Sequence, residues 1–193
     1  MAISKSSVRI IGGEHRSRRL HFTDQGGDLR PSTDRLRETL FNWLQFELAG
    51  KRVLDLFAGS GILAAEALSR GAASAELVEK KPQRAEDLRR ELKPIFAERA
   101  RVHAMDALRW LALPAKPGER QFDLVFVDPP YDLGVTAAAC AALETQQKLA
   151  DTALVYVESR SHEAAPQVPA NWQLLKEKIA GEVAARLYRR GAD

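Results

Sequence analysis

A single cysteine, Cys140, leaves no partner for a disulfide within the chain. It lies in the alanine-rich stretch Thr136 to Ala142 and reads as a small buried filler. Four histidines (15, 21, 103 and 162) are too scattered to suggest a metal site. No apolar run approaches the ~18 residues needed to cross a bilayer. The opening Met1-Ala2-Ile3-Ser4-Lys5-Ser6-Ser7 has no apolar core behind its charge, so no secretory signal is expected. These absences point to a cytoplasmic protein with no structural metal and no membrane segment. At 193 residues the simplest expectation is one domain that buries roughly 70% of its unfolded surface and needs no staples.

Charge is modest in sum, at +3, but unevenly placed. Residues 1–37 hold eight cations (Lys5, Arg9, Arg16, Arg18, Arg19, Arg30, Arg35, Arg37) against four acids, Glu14, Asp24, Asp28 and Asp34. That surplus of +4 leaves −1 for the remainder. Positive charge concentrated in a short glycine-containing segment is the footprint expected for a polyanion; a solvated basic tail is the plainer alternative. Within it, Val8-Arg9-Ile10-Ile11 and Arg18-Arg19-Leu20-His21-Phe22 read as two strands around a Gly12-Gly13 turn. Ser32-Thr33-Asp34 then caps a helix with Leu36, Leu40, Phe41 and Leu44 on one face, ended by Gly50.

From Lys51 the pattern alternates. Strands are expected at 52–57, 75–79, 101–104, 122–127 and 153–158, with helices near 61–70, 82–93, 106–112 and 135–148. Such alternation implies right-handed crossovers and a parallel sheet covered on both faces. At the end, Trp172 to Ile179 and Val183 to Arg189 flank Ala180-Gly181 and read as an antiparallel hairpin at a sheet edge.

Two turns carry chemistry. Val53-Leu54-Asp55-Leu56-Phe57-Ala58-Gly59-Ser60-Gly61 is a strand opening into a glycine turn and then a helix, whose unpaired N–H groups and bare glycines admit a ligand closely. Gly59 to Ala64 also fits the dinucleotide pattern G-x-G-x-x-A. Glu79 ends the next strand, where a carboxylate can hold both ribose hydroxyls. Asp55, however, would repel a pyrophosphate and suits an ammonium. S-adenosylmethionine offers that ammonium, a ribose and an adenine, with no phosphate. Asp106, in Met105-Asp106-Ala107, stands where an acid could accept from the adenine amine, cap the following helix, or both. The second turn, Asp128-Pro129-Pro130-Tyr131, follows the apolar strand 122–127. Two prolines hold the backbone extended and add no N–H, leaving carbonyls free to accept. An acid, bare carbonyls and an aromatic face make a socket for a flat group bearing an N–H₂, a nucleobase or an amide.

These residues resemble the Rossmann-type methyltransferases that act on exocyclic or amide nitrogens. With Ile10-Ile11-Gly12-Gly13, the block from Arg30-Pro31-Ser32-Thr33-Asp34 to Leu44, and the tail segments Val168 to Trp172 and Ala184 to Tyr188, the chain closely resembles the RsmD family from about Val8 to Tyr188. The resemblance implies a Rossmann-like α/β fold with a mostly parallel seven-stranded sheet and an antiparallel C-terminal hairpin strand, plus a small basic N-terminal hairpin and helix. It implies methylation of guanine N2 at position 966 of 16S rRNA, in the small ribosomal subunit or its precursor, by a monomer using S-adenosylmethionine. Residues 1–50 are then the RNA-contacting extension and 51–193 the catalytic domain. The cofactor residues expected are Asp55, Phe57, Gly59, Ser60, Gly61, Glu79, Met105, Asp106, Ala107 and Asp128; Asp128, Pro129, Pro130 and Tyr131 are catalytic. Arg16, Arg18, Arg19, Arg30 and Arg37 are expected to contact RNA. Asp132-Leu133 depart from the pattern, since some relatives carry basic residues there.

Rival readings remain open at this point. The socket also suits adenine N6 in DNA or a protein glutamine, although no insertion of the size a DNA recognition region needs is present. A nicotinamide-dependent oxidoreductase would use the glycine pattern but leaves the socket unexplained. A non-catalytic RNA-binding assembly factor would have no chemical need for Asp55, Glu79 and Asp128.

Overall fold

Alternating apolar strands and amphipathic helices leave the chain one economical arrangement, a sheet with helices on both faces. The computed structural model describes residues 3–25, 34–114, 121–130 and 134–191. A two-stranded antiparallel hairpin, β1 (Ile3–Arg9) and β2 (Arg19–Gln25), precedes α1 (Asp34–Trp43). Then come β3 (Arg52–Asp55), α2 (Ile62–Ser69), β4 (Ser74–Glu79), α3 (Pro82–Phe96), β5 (Ala100–Ala104), α4 (Ala107–Leu111) and β6 (Phe122–Val127). The chain continues through α5 (Thr136–Thr145) and β7 (Leu149–Arg160) to the hairpin β8 (Trp172–Ala180) and β9 (Val183–Arg190). No helix among the described residues is long and apolar enough to cross a membrane.

Seven strands form the main sheet in the order β5-β4-β3-β6-β7-β9-β8. Strands β3 to β7 are parallel, β9 is antiparallel to both its neighbours, and β8 is the outer edge. Strand alternation sends Val53, Leu77, Leu124, Phe126, Leu154 and Tyr156 to one face, under the N-terminal hairpin, α1, α2 and α3. Leu54, Val78, Val125, Val127, Val155 and Val157 go to the other, under α4 and α5. The expected helical face Leu36, Leu40, Phe41 and Leu44 is fully buried, and Val8, Leu20 and Phe22 of the hairpin join the same core. The described hairpin and α1 thus share one core with the sheet.

The N-terminal hairpin lies along α3. Alternate N–H groups on the outer edge of β2 donate to two carboxylates one helical turn apart, Thr23 to Asp87 and His21 to Glu91, both at 2.9 Å. Those bonds satisfy an edge that would otherwise be bare. The direction follows: β2 runs against α3, which begins just after the carboxyl end of β4. The open end of the hairpin therefore points toward the carboxyl edge of the sheet, and its closed end toward the amino edge.

Candidate active site

Strand β3 ends at Asp55 and β6 at Val127, and the two are parallel neighbours with Asp55 opposite Phe126. The Leu56 N–H donates to the Phe126 carbonyl at 3.1 Å. The chain moves outward from β3 through β4 to β5, then returns to β6 on the other side of β3. Such a reversal opens a crevice at the carboxyl ends of the strands. The glycine turn and the double-proline turn therefore emerge side by side, from strands about 4.8 Å apart. Glu79 ends β4 and Asp106 follows β5, so four acids stand at the carboxyl ends of four adjacent strands.

The glycine turn is built for close approach. Gly59 (φ 53°) and Gly61 (φ 73°) both adopt left-handed backbone, and Gly61 N–H donates to the Ala58 carbonyl at 2.6 Å. A Cβ on Gly61 would sit 2.5 Å from Leu88 Cδ2, because α2 packs closely against β4 and α3. Gly61→Ala is expected to lower stability by about 1–3 kcal/mol through strained backbone and displaced Leu88, read as a lower urea midpoint at unchanged slope. Phe57 and Gly59 are half-buried and Ser60 is buried.

Asp55 lies beneath this turn at 2% exposure, with Oδ2 accepting the Ala64 N–H at 3.3 Å. Burial pushes its carboxyl up to about 7; the Ala64 hydrogen bond opposes that, and the charge of Glu79 adds to it. A buried acid so placed is stabilised by a cation. Glu79 accepts from Gly59 N–H at 3.0 Å and from Lys81 N–H at 2.8 Å, and Arg84 Nη1 lies 4.0 Å away. Burial nonetheless raises its carboxyl above the ordinary value. These bonds fix the carboxylate against the glycine turn, and its remaining lone pairs can take two hydroxyls. Asp106 caps α4, with Oδ1 accepting from Leu108 N–H (3.1 Å) and Arg109 N–H (3.3 Å), and Lys80 Nζ is 3.4 Å from Oδ2. Met105 is half-buried with its N–H on the Glu79 carbonyl at 3.0 Å, and Ala107 is buried. A glycine cradle, a buried acid suited to an ammonium and a second acid at the next strand fit S-adenosylmethionine. Asp128 is half-buried beside this cradle, Pro129 is buried and Pro130 exposed. Tyr131 lies outside the described residues, as do Arg30, Ser32 and Thr33.

The basic residues divide. Arg16, Arg18 and Arg19 are exposed around the closed end of the hairpin. Arg37 is corrected: at 1% exposure it faces no polyanion and bonds inward, Nη1 to the Arg9 carbonyl at 2.9 Å and Nη2 to Asp34. Its Nη1 also lies 3.8 Å from Glu66, a fully buried acid of α2. Sequence reasoning passed over Glu66, whose only local signal is Arg70 four residues on. It passed over Glu158 too, 2% exposed on β7 and accepting from the Tyr156 hydroxyl at 2.7 Å.

Comparison with known proteins agrees with this geometry. The family described as Conserved hypothetical protein 95 matches residues 8–189. Ribosomal RNA small subunit methyltransferase D of Escherichia coli (strain K12) is 48% identical over 185 residues, covering 96% of this chain and 91% of that protein. The protein of the same name from Haemophilus influenzae is 40% identical over 189 residues, covering 96% and 95%. Among solved structures, yhhF of Escherichia coli superposes with TM-score 0.87 at 44% identity, over 97% of this chain and all of that one. With a cradle fitted to S-adenosylmethionine and likeness over nearly its whole length, the chain belongs to the RsmD family of S-adenosylmethionine-dependent small-subunit rRNA methyltransferases.

Proposed function

We propose that the protein methylates the exocyclic N2 of one guanine, position 966, in 16S rRNA, and that it acts in the cytoplasm as a monomer on the small subunit or its precursor. The observation that carries this reading is the emergence of Asp128-Pro129-Pro130 beside the glycine turn, on neighbouring parallel strands. S-adenosylmethionine, when bound, supplies an electrophilic methyl group on a sulfonium. Asp55 would hold its ammonium and Glu79 its ribose hydroxyls, and Met105, Asp106 and Ala107 would border its adenine.

The N2 amine of guanine is a weak nucleophile because its lone pair is delocalised into the ring. Asp128 and the Pro129 carbonyl accept its two hydrogens and aim the lone pair at the methyl. Alignment supplies much of the rate. As the N–C bond forms the methyl–sulfur bond breaks, the electron pair stays on sulfur and S-adenosylhomocysteine is the leaving group. The nitrogen becomes acidic, and Asp128 takes the proton or stabilises the developing charge. Tyr131 offers an aromatic face for the extracted base, a stacking worth about 1–3 kcal/mol. The base must leave any pairing to reach the site.

Residues 1–50 supply RNA contact and 51–193 the cofactor site. Arg16, Arg18 and Arg19 hold phosphates and position the RNA without reading its sequence. They stand by the C-terminal end of α2, an eight-residue helix about 12 Å long, so the RNA extends down that flank from the crevice. Replacing all three by Ala should weaken RNA binding and reduce the steepness of its salt dependence by about one unit for each phosphate no longer neutralised; an unchanged slope would remove them from the interface.

Labelled-methyl transfer tests the whole reading. Free 16S rRNA and small subunits lacking the modification are offered separately, and the acceptor nucleotide is mapped. Label on one guanine N2 is expected. Label on adenine or on protein would overturn the assignment.

A further inference from the structure

The Ile10-Ile11-Gly12-Gly13 signature has no part in the chemistry above, yet the structure anchors it firmly. Helix α2 begins at the cofactor turn, and its last turn grips this loop by the backbone. Glu66 Oε2 accepts the Ile11 N–H at 2.8 Å. Ser69 Oγ donates to the Gly12 carbonyl at 2.7 Å and accepts the His15 N–H at 2.9 Å, while the Ser69 carbonyl accepts the Glu14 N–H at 2.8 Å. Neither glycine has room for a side chain. A Cβ on Gly12 would meet the Arg70 guanidinium at 2.2 Å, and one on Gly13, at φ +78°, would meet the Ser69 carbonyl oxygen at 2.0 Å. The Glu66 carboxylate is fully buried and is balanced by two guanidinium groups. Arg70 Nε and Nη2 lie 3.0 and 2.9 Å from Oε1, and Arg37, which also holds the Arg9 carbonyl, approaches Oε2.

Burying Glu66 of α2 between Arg70 and Arg37 beneath a surface loop carries a desolvation cost that a solvated turn would not, and the bonds it makes fix the loop's orientation. The loop joins β1 to β2, and each of those strands is seven residues, roughly 24 Å long. Arg16, Arg18 and Arg19 lie in this loop or at the start of β2, so the seat of the loop on α2 sets where their phosphate contacts fall relative to the crevice. We infer that Glu66 and Ser69 are positioning residues for the RNA substrate: touching neither RNA nor cofactor, they weld the RNA-bearing hairpin to the helix that starts the cofactor cradle, so that phosphate contacts and acceptor base are in register. The inference rests on the RNA-methyltransferase reading above.

The test uses the full-length enzyme, 16S rRNA and S-adenosylmethionine. Ser69→Ala removes two of the hydrogen bonds without unbalancing a charge, and should raise KM for RNA about threefold to tenfold for each of them. The dissociation constant for S-adenosylmethionine should stay within twofold. In a background where Arg16, Arg18 and Arg19 are already Ala, adding Ser69→Ala should raise KM no further, because its effect passes through those arginines. Glu66→Gln should show the same pattern more strongly; should it fail to fold, Ser69→Ala decides alone. A folded Ser69→Ala enzyme with unchanged KM for RNA overturns the inference. So does a parallel loss of cofactor affinity, or an undiminished effect in the triple-Ala background, since either marks general loosening. Absence of methyl transfer by the wild-type protein would instead remove the reading beneath it.

Discussion

Asp128→Ala is expected to reduce methyl transfer by about 10³-fold or more while S-adenosylmethionine still binds. General-base assistance alone contributes roughly 10²–10⁴, and the variant also loses one of the two acceptors that orient the amine. The cradle is formed by β3, β4 and the glycine turn, whose hydrogen bonds among Ala58, Gly59, Gly61, Val78 and Glu79 do not involve position 128. Calorimetry with the methyl donor and single-turnover transfer of a labelled methyl separate the two effects. Asp128→Asn distinguishes the roles of the acid. It keeps one acceptor oxygen, so orientation is partly preserved, but cannot take a proton. Near-wild-type turnover in Asp128→Asn would leave orientation as the whole contribution; activity in Asp128→Ala would place the chemistry elsewhere.

Asp55→Asn is expected to weaken S-adenosylmethionine binding at pH 8 by about 10²-fold, since a charge-assisted hydrogen bond is worth about 1.5–3 kcal/mol. It should also abolish a pH dependence that the wild type shows. The Asp55 carboxyl is pushed from 3.8 up to about 7 in the folded protein, first by burial. An ammonium prefers the ionised acid, so wild-type affinity should fall as pH drops below about 7, by up to tenfold per unit. Stability of the unliganded protein moves the other way. Between about 4 and 7 the folded state binds the proton that the unfolded state has released, so stability declines as pH rises through that window and levels off above it. The ceiling of the effect is about 4 kcal/mol. Glu79, also raised by burial, contributes with the same sign. The Asn variant should therefore be the more stable protein at pH 8 and the poorer binder. Flat wild-type affinity from pH 5.5 to 8 would rule out Asp55 as the ammonium's partner.

Much of this was legible in the residues, for identifiable reasons. Strand β6, expected at 122–127, occupies Phe122–Val127, because a run apolar at every position but Asp123 and followed by Asp128 and two prolines admits little else. The glycine turn was equally plain. The N-terminal hairpin was harder: a strand was expected at 8–11, but β1 spans Ile3–Arg9. Serines at 4, 6 and 7 hide the alternation, and Ile10-Ile11, apolar enough for a strand, serve the joint instead. Strand β7 begins at Leu149 rather than 153, since Leu149 pairs with Phe122 while the polar Asp151 and Thr152, which read as loop, fall in the register shift before Leu154. Arg37 and Glu66 show where local pattern fails. Each is a charged residue in a helix, and only the tertiary meeting of α1, α2 and the hairpin takes them out of water.

The lone thiol has a practical consequence. Cys140 is fully buried on α5, and burial pushes it up to about 12, so it carries almost no thiolate at neutral pH. The native molecule is thus a silent background for sulfhydryl labelling. Replacing exposed Arg18 by cysteine would create one reactive handle at the hairpin's closed end, and a second at Pro130 would add a reporter beside the reaction edge. Dipolar or fluorescence distances between such probes, with RNA added or withheld, would read the hairpin's orientation without disturbing a native sulfur.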